Sequence, residues 1–155
     1  MRVGTGYDLH KLKAGRELIL GGVLIEHPVG LDGNSDADVL THAVIDAILG
    51  AAALGDIGEH FPDSDPQWKG KSSLDLLEIS ARLLEKAGYR VVNVDSTVVA
   101  QEPRLHVFLG DMQKNLASRL GLEHGLVSVK ATSPEGLGAL GQKSGIAAQA
   151  VALIE

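Results

Sequence analysis

Short segments of apolar residues, separated by polar or glycine-rich stretches, set the pattern of this chain. Two runs at 17–20 and 23–25 flank Gly21-Gly22, which predicts a β-hairpin with a glycine turn. Four other segments are rich in valine or other apolar residues and are predicted as strands. They are 1–7, 89–100, 126–131 and 145–154.

Three longer segments place apolar residues at helical spacing. They are 35–54, 72–87 and 105–120. Ser35 is the predicted N-cap of the first helix, with Asp36 and Asp38 in its first turn. In the second helix, Glu78 and Arg82 are spaced to form an i,i+4 ion pair. The order of the elements favours an α/β fold of the α+β type: a small mixed β-sheet with three helices on one face plus a β-hairpin.

Composition and charge narrow the class of protein. The 155 residues are 45% apolar, which suffices for a single domain spanning residues 1–155. The chain has no cysteine, so a transition-metal site must use histidine, aspartate or glutamate. A net charge of −6 and an aromatic content of 3% argue against a nucleic-acid partner. We see no signal peptide and no apolar run of the roughly 20 residues that a membrane helix needs, so a cytoplasmic protein with no membrane partner is expected.

Three side chains form a candidate metal site. Asp8 and His10 lie two residues apart at the end of the first predicted strand, so both project from the same side. His42 lies one turn after Asp38 and one turn before Asp46 on the first predicted helix, which predicts a shared polar stripe. Asp8, His10 and His42 would form an N,N,O ligand set with an open fourth position, as in catalytic zinc sites. Another interpretation stays open, because an Asp-x-His pair is also a common surface or capping feature, and a lone helix histidine often faces solvent or the core.

Two loops carry further polar residues. Asp56, Asp63 and Asp65 flank a segment rich in turn-forming residues, and we interpret them as turn formers rather than metal ligands. Glu135 lies in a glycine-rich loop at 133–138, which is suited to holding phosphate through backbone amides but is also an ordinary connection between strands. The remaining histidines have no partner at a ligand spacing and are interpreted as surface residues: His27, His60, His106 and His124.

Eight short segments, each present once, follow one another in a characteristic order along the chain. They are Gly6-Tyr7-Asp8-Leu9-His10, Ser35-Asp36-Ala37-Asp38-Val39 with His42, Leu54-Gly55-Asp56-Ile57-Gly58, Phe61-Pro62-Asp63-Ser64-Asp65-Pro66, Asn93-Val94-Asp95, Ala100-Gln101-Glu102-Pro103, Val129-Lys130-Ala131-Thr132 and Gly145-Ile146-Ala147. In this order they resemble the methylerythritol cyclodiphosphate synthase family. Each segment is weak alone, but the set covers essentially the whole chain and is therefore specific.

The resemblance implies cofactors and an assembly. Zinc is implied on Asp8, His10 and His42, with a second divalent ion, Mg²⁺ or Mn²⁺, near Glu135. A homotrimer is implied, with active sites between neighbouring subunits.

The resemblance also implies which residues contact the substrate, with Asn34 and Ser133 as catalytic residues. Segments 56–58 and 61–65 would hold the methylerythritol part, and 100–106 with 132–133 would hold the cytidine and its phosphates. The implied substrate-binding set is Asp8, His10, Asn34, Ser35, Asp56, Ile57, Gly58, Phe61, Pro62, Asp63, Ser64, Asp65, Ala100, Gln101, Glu102, Pro103, Arg104, Leu105, His106, Thr132, Ser133, Pro134 and Glu135.

The activity that the resemblance implies is a cyclisation in non-mevalonate isoprenoid precursor biosynthesis. The 2-phosphate of 4-diphosphocytidyl-2-C-methyl-D-erythritol 2-phosphate attacks the substrate's own diphosphate, and CMP leaves in a phosphorus–oxygen lyase reaction. Since the attacking phosphate is already ionised, catalysis consists mainly of positioning and charge neutralisation. Two alternatives remain: a metal-dependent phosphohydrolase that uses water at the same site, and a non-catalytic trimer that binds zinc and cytidine nucleotides.

Some positions depart from the family pattern. Asn34 stands where the family usually has histidine, which predicts reduced turnover rather than inactivity. Ala37 replaces a common glycine, a change that helix propensity favours. Ala139 and Gln142 occupy positions that are often Phe and Arg and hold an isoprenoid diphosphate in relatives, so that binding is not expected here.

Overall fold

A computed structural model describes residues 1–155 and arranges them as seven strands and five α-helices. The strands are β1 (Arg2–Ala14), β2 (Leu18–Leu20), β3 (Val23–Ile25), β4 (Val29–Leu31), β5 (Val91–Val99), β6 (Val127–Thr132) and β7 (Gly145–Ile154). The helices are α1 (Val39–Ala52), α2 (Ile57–His60), α3 (Ser73–Lys86), α4 (Leu109–Leu120) and α5 (Gly138–Gly141). Short 3₁₀ helices occupy Pro66–Trp68, His106–Phe108 and His124–Leu126. None of the helices combines the length and the apolar character that a membrane crossing requires.

The sheet has five strands in the order β4-β1-β7-β5-β6. Only β5 and β6 run parallel, while β1 pairs antiparallel with β4 and β7, and β7 pairs antiparallel with β5. The strands β2 and β3 form a separate hairpin around Gly21-Gly22. The predicted mixed sheet and hairpin are therefore confirmed.

Three helices cover one face of this sheet, as predicted. Helix α1 packs on β1, β7 and β5, α4 packs on β6, and α3 lies against both helices. Almost every residue of α1 is buried, which explains why apolar residues occur on every side of the helix, with Thr41, His42 and Asp46 as its polar residues. The opposite face of the sheet is bare within one chain, and its apolar side chains are exposed: Val3 66%, Tyr7 61%, Leu9 52% and Val151 38%.

Small residues let β1 and α1 approach closely. A Cβ atom placed on Gly6 would overlap the backbone carbonyl of Ala43, and one placed on Gly4 would overlap the carbonyl of Ala47. Glycine on the strand and alanine on the helix thus remove the side chains that would hold the two backbones apart. This contact fixes the distance between the strand and the helix that carry the candidate metal ligands.

Several predicted boundaries are wrong. The first strand continues to Ala14, so Asp8 and His10 lie in its middle rather than at its end. The first helix begins at Val39, and its N-cap is Asp38 rather than Ser35. The preceding residue explains the difference, because Ala37 has a left-handed φ of 59° that no helix continues through.

The short elements were also missed, β4, α2 and α5 among them. The strand β4 has only three residues, which is too short to produce a recognisable alternation. The favourable helix propensity of Ala37 is irrelevant at its position, since left-handed backbone favours glycine. In contrast, β7 covers Gly145–Ile154 as expected, and Glu78 and Arg82 form the predicted ion pair on α3.

Candidate active site

Three predicted ligands converge between β1 and α1. Asp8 and His10 follow Gly4 and Gly6 on the side of β1 that faces α1, and His42 lies on the first turn of that helix. The Asp8 Oδ2 atom is 2.9 Å from His10 Nε2 and 3.0 Å from His42 Nδ1. The two nitrogens are 3.2 Å apart. Asp8, His10 and His42 form one group whose donor atoms can share a metal ion.

Hydrogen bonds behind these atoms determine where the protons lie. The second ring nitrogen of His10, Nδ1, is 2.7 Å from the Asp32 carbonyl oxygen, which can only accept, so Nδ1 carries a proton. The second ring nitrogen of His42, Nε2, faces the Ser73 hydroxyl at 2.8 Å. A metal ion bound here would take the lone pairs of His10 Nε2 and His42 Nδ1 in place of the protons that these nitrogens otherwise share with Asp8 Oδ2. Two imidazoles and one carboxylate in this arrangement fit a zinc ion.

The electrostatics of the group favour a positive charge. Burial opposes ionisation of Asp8, but the adjacent imidazoles of His10 and His42 outweigh it and hold the pKa of the carboxyl well below its usual range. Burial also disfavours the charged form of His10, but the Asp8 carboxylate outweighs it and raises the pKa of the imidazole. The same field that favours a proton here favours a metal cation.

Arg16 holds the segment that carries Asn34 and Ser35 against the ligands. Its Nε donates to the Leu31 carbonyl at 3.0 Å. Its Nη2 donates to the carbonyls of Gly33 at 3.1 Å and Ser35 at 2.9 Å. These three bonds fix the path of residues 31–35, which also supply the Asp32 carbonyl behind His10.

A cavity of about 360 Å³, here the first cavity, opens beside the three ligands. Its walls are Asp8, His10, Gly33, Asn34, Ser35, His42, Ile57, Gly58, Phe61, Pro62, Asp63, Trp68 and Leu76. Sequence reasoning missed Gly33, Leu76 and, most prominently, Trp68. Its ring meets Phe61 edge-on, with centroids 5.0 Å apart. The feature of the sequence that could have identified Trp68 as a site residue is that it is the single tryptophan of the chain and lies in a polar loop.

Three predicted contact residues lie outside this lining. Asp56 caps α2 by accepting from the Glu59 amide at 3.0 Å. Asp65 caps the 3₁₀ helix by accepting from the Gln67 amide at 3.0 Å. Ser64 is exposed in the turn between them. The interpretation of Asp56 and Asp65 as turn formers is confirmed.

In the predicted polar stripe of Asp38, His42 and Asp46, the two carboxylates have roles different from that of His42. The buried Asp38 carboxylate accepts from the amides of Gly21 at 2.9 Å and Gly22 at 2.7 Å, and so holds the hairpin turn. Asp46 accepts from the Ile57 amide at 2.8 Å. Of the three, only His42 faces the ligand group, since the other two carboxylates organise neighbouring loops.

A second cavity of about 740 Å³ lies where β5 and β6 end. It is lined by Ala100, Gln101, Glu102, Pro103, Arg104, Leu105, His106, Ala131, Thr132 and Ser133. All but Ala131 belong to the set that the resemblance implied. Arg104 and His106 are exposed, so the cavity presents donors and positive charge to whatever enters it.

Pro134 and Glu135 lie beside the second cavity rather than in its lining. The Glu135 side chain is exposed, and its amide donates to Ser133 Oγ at 3.0 Å. The next amide, of Gly136, donates to Gln101 Oε1 at 2.9 Å and ties this loop to the second cavity. Pro134 lines a neighbouring apolar cavity with Leu137. Glu135 belongs to no group of three metal-binding side chains.

The sheet register relates the two cavities. Asp8 pairs with Ala148, Ala148 with Val98, and Val98 with Ala131. Asp8 and Ala131 are therefore at the same level of the sheet, three strand spacings apart, or about 14 Å.

Comparisons with known proteins agree over the whole chain. A family model described as the YgbB family matches residues 1–155. The 2-C-methyl-D-erythritol 2,4-cyclodiphosphate synthase of Syntrophomonas wolfei is 62% identical over 155 residues, which are 100% of this chain and 99% of that protein. A solved structure of such a synthase in its CDP-bound form matches with a TM-score of 0.91 at 36% identity, over 99% of this chain and 100% of the other. The bifunctional IspDF of Campylobacter jejuni matches with a TM-score of 0.95 at 42% identity, over 99% of this chain but only 42% of that longer protein.

Proposed function

The chain belongs to the YgbB family, and from that premise we propose that it converts 4-diphosphocytidyl-2-C-methyl-D-erythritol 2-phosphate to 2-C-methyl-D-erythritol 2,4-cyclodiphosphate and CMP. The reaction is a step of non-mevalonate isoprenoid precursor biosynthesis, and its class is that of a CMP-forming phosphorus–oxygen lyase. One observation carries the proposal: Asp8, His10 and His42 converge beside the first cavity in a chain 62% identical to a named synthase.

The cyclisation exchanges one phosphorus–oxygen bond for another. An oxygen of the 2-phosphate bonds to the nearer phosphorus of the diphosphate, and the bond from that phosphorus to the bridging oxygen breaks. CMP leaves with the bridging oxygen and its electron pair. No residue has to remove a proton first, so the protein contributes by bending the substrate for in-line attack and by neutralising phosphate charge.

The first cavity supplies the metal ligands and the walls for the sugar-like part. Zinc held by Asp8, His10 and His42 would supply positive charge and a template for phosphate oxygens. His10 can offer a lone pair at Nε2 because its Nδ1 proton is held by the Asp32 carbonyl. The apolar side chains of Phe61, Trp68 and Leu76 would pack on the methylerythritol carbons and limit the access of water. Exclusion of water favours ring closure over hydrolysis.

Asn34 would bind a phosphate oxygen from the wall of the first cavity. Its amide can donate a neutral hydrogen bond but cannot carry the positive charge that a histidine could. A neutral donor stabilises a developing negative charge less than a charged donor does. We therefore expect turnover that is reduced but not abolished.

The second cavity would hold the cytidine and its phosphates. Arg104 offers a bidentate cation for the diphosphate, and the hydroxyls of Thr132 and Ser133 offer further donors. Glu135, on the adjoining loop, would bind a second divalent ion, Mg²⁺ or Mn²⁺. Such an ion takes one or two carboxylates from the protein and the rest of its ligands from phosphates and water.

A homotrimer with active sites between subunits completes the proposal. The bare face of the sheet exposes Val3, Tyr7, Leu9 and Val151 next to one another on β1 and β7. A contiguous apolar patch of this kind typically marks a protein–protein interface. Light scattering of the purified protein should give three times the mass of one chain.

Phosphorus NMR of the purified protein with this substrate, zinc and magnesium tests the function. We expect resonances of the cyclic diphosphate and of CMP to appear together. CMP without the cyclic product would instead identify a phosphohydrolase. A lack of any product, with zinc demonstrably bound, would identify a non-catalytic module that binds zinc and cytidine nucleotides.

A further inference from the structure

The side of His42 that faces away from the ligand group contacts two serine hydroxyls. His42 Nε2 lies 2.8 Å from Ser73 Oγ and 3.1 Å from Ser35 Oγ. Ser73 is fully buried, and Ser35 and His42 are each 8% exposed. Water therefore has little access to this nitrogen, and its hydrogen bonding depends on the two side chains.

The direction of these hydrogen bonds depends on which atom of each pair carries a proton. When His42 Nδ1 binds a metal ion, the neutral ring carries its proton on Nε2. The Ser73 hydroxyl donates its own proton to Asp36 Oδ1 in a short contact, because a carboxylate can only accept. A lone pair of Ser73 Oγ is then left to accept from His42 Nε2. The result is a directed chain that runs from imidazole to hydroxyl to carboxylate.

The carboxylate at the end of this chain is itself held firmly. Asp36 Oδ2 accepts from the Ser73 amide at 3.0 Å. Asp36 Oδ1 accepts from the Asp38 amide at 3.2 Å. Because Ser73 is the first residue of α3, Asp36 links the start of α3 to the loop that precedes α1. This link could not be predicted from local patterns, because 37 residues separate the two partners.

Ser35 is less suited than Ser73 to accept from the imidazole. Its hydroxyl oxygen already accepts from the Ala37 amide at 3.1 Å, and it is the more distant of the two from His42. His10 is supported differently again, by the neutral carbonyl of Asp32. His42 is thus the ligand whose support ends on a negative charge.

We propose that Ser73 and Asp36 are positioning residues that fix the tautomer and orientation of His42 and strengthen it as a metal ligand. The inference rests on the metal site of the proposed function. The Asp36 carboxylate polarises the Ser73 hydroxyl, which in turn draws on the Nε2 proton and increases electron density at Nδ1. Partners of this kind behind a metal ligand typically contribute about 10- to 100-fold to metal affinity.

Cobalt(II) binding, followed by visible absorption without any substrate, tests this role. Ser73→Ala should weaken Co²⁺ affinity by about 10- to 100-fold and alter the absorption spectrum of the bound ion. Ser80→Ala is the matched control, because Ser80 is a fully buried serine on the same helix whose hydroxyl bonds only to the Leu76 carbonyl. It should leave the affinity within about twofold of that of the unsubstituted protein, since Ser80 does not contact a ligand.

A second variant protects the test against failure of Ser73→Ala to fold. Asp36→Asn keeps an oxygen for the Ser73 amide but removes the charge, and it should also weaken Co²⁺ binding by about tenfold or more. If Ser73→Ala and Asp36→Asn bound Co²⁺ as tightly as Ser80→Ala, the positioning role would be overturned. That conclusion would hold even if all three substitutions lowered the thermal stability of the metal-free protein. Failure of the unsubstituted protein to bind Co²⁺ or Zn²⁺ would overturn the metal site itself, and the inference with it.

Discussion

The first and second cavities differ in how firmly the fold holds their side chains. In the first, each ligand is supported from behind: the Leu9 amide donates to Asp8 Oδ1 at 2.8 Å, and the two imidazoles contact Asp32 and Ser73. In the second, the side chains of Arg104 and His106 are exposed. The fold itself therefore fixes the side chains of the first region, whereas Arg104 and His106 in the second extend into solvent. Substitutions should therefore act on metal binding in one region and on substrate affinity in the other.

The largest effect is expected from removing a ligand in the first cavity. His10→Ala should abolish stoichiometric zinc binding and reduce turnover by about a thousandfold or more, because several kcal/mol of charge stabilisation would be lost. Atomic absorption and the NMR assay measure the two quantities. His124→Ala, at an exposed histidine far along the chain, is the control and should change neither. Full zinc occupancy in the His10→Ala protein would contradict the assignment.

The next largest effect is expected from disturbing the close packing of β1 on α1, which brings the ligands of the first cavity together. Gly6→Ala should destabilise the fold by about 3 kcal/mol or more, because the new Cβ would overlap the Ala43 carbonyl and force α1 away from β1. Metal affinity should fall as well, since Asp8 and His42 would separate. Chemical denaturation and a zinc titration measure both.

Gly110→Ala is the control for that substitution. Gly110 lies in α4 with open space around its Cβ position, so alanine should stabilise the protein by about 0.5–1 kcal/mol. If Gly6→Ala were as well tolerated as Gly110→Ala, close packing would not be what brings the ligands together.

Part of this organisation was predictable from sequence. The spacing of Asp8 and His10 places both on one face of a strand whatever the rest of the chain does. The helix that meets that face could not be identified, because the alanines that pack on Gly4 and Gly6 look like ordinary helix formers. The roles of Asp38 and Asp36 were missed for a related reason: each carboxylate bonds to a distant backbone segment, at Gly22 and at Ser73. Local patterns identified the chemistry, and long-range contacts decided how it is held.

A substitution in the second cavity should affect substrate affinity alone. Arg104→Ala should raise KM by about tenfold, as expected for the loss of one exposed charge-assisted contact. Zinc affinity should remain unchanged. Arg90→Ala is the control, since Arg90 is exposed near the far end of the sheet and pairs with Glu155. A loss of zinc affinity in Arg104→Ala would mean that the two cavities are not separable in this way.

The smallest effect is expected at Asn34, on the wall of the first cavity. Asn34→His should raise turnover by about fivefold, because a charged donor stabilises transition-state charge by about 1 kcal/mol more than a neutral amide. Steady-state kinetics with zinc in excess separate this gain from any change in metal binding. An unchanged or lower rate would show that asparagine is not the weaker donor here.

The central claim is that the first cavity binds the metal and the second binds the nucleotide. A crystal structure with zinc and CDP, with anomalous scattering recorded at the zinc edge, tests it most directly. We predict one zinc ion per chain, seen as an anomalous peak within bonding distance of Asp8, His10 and His42. The cytidine should occupy the second cavity of this or a neighbouring chain, with its diphosphate directed towards the zinc. Zinc bound at other residues, or CDP seated outside the segment 100–106, would contradict the assignment of metal and nucleotide to these two regions.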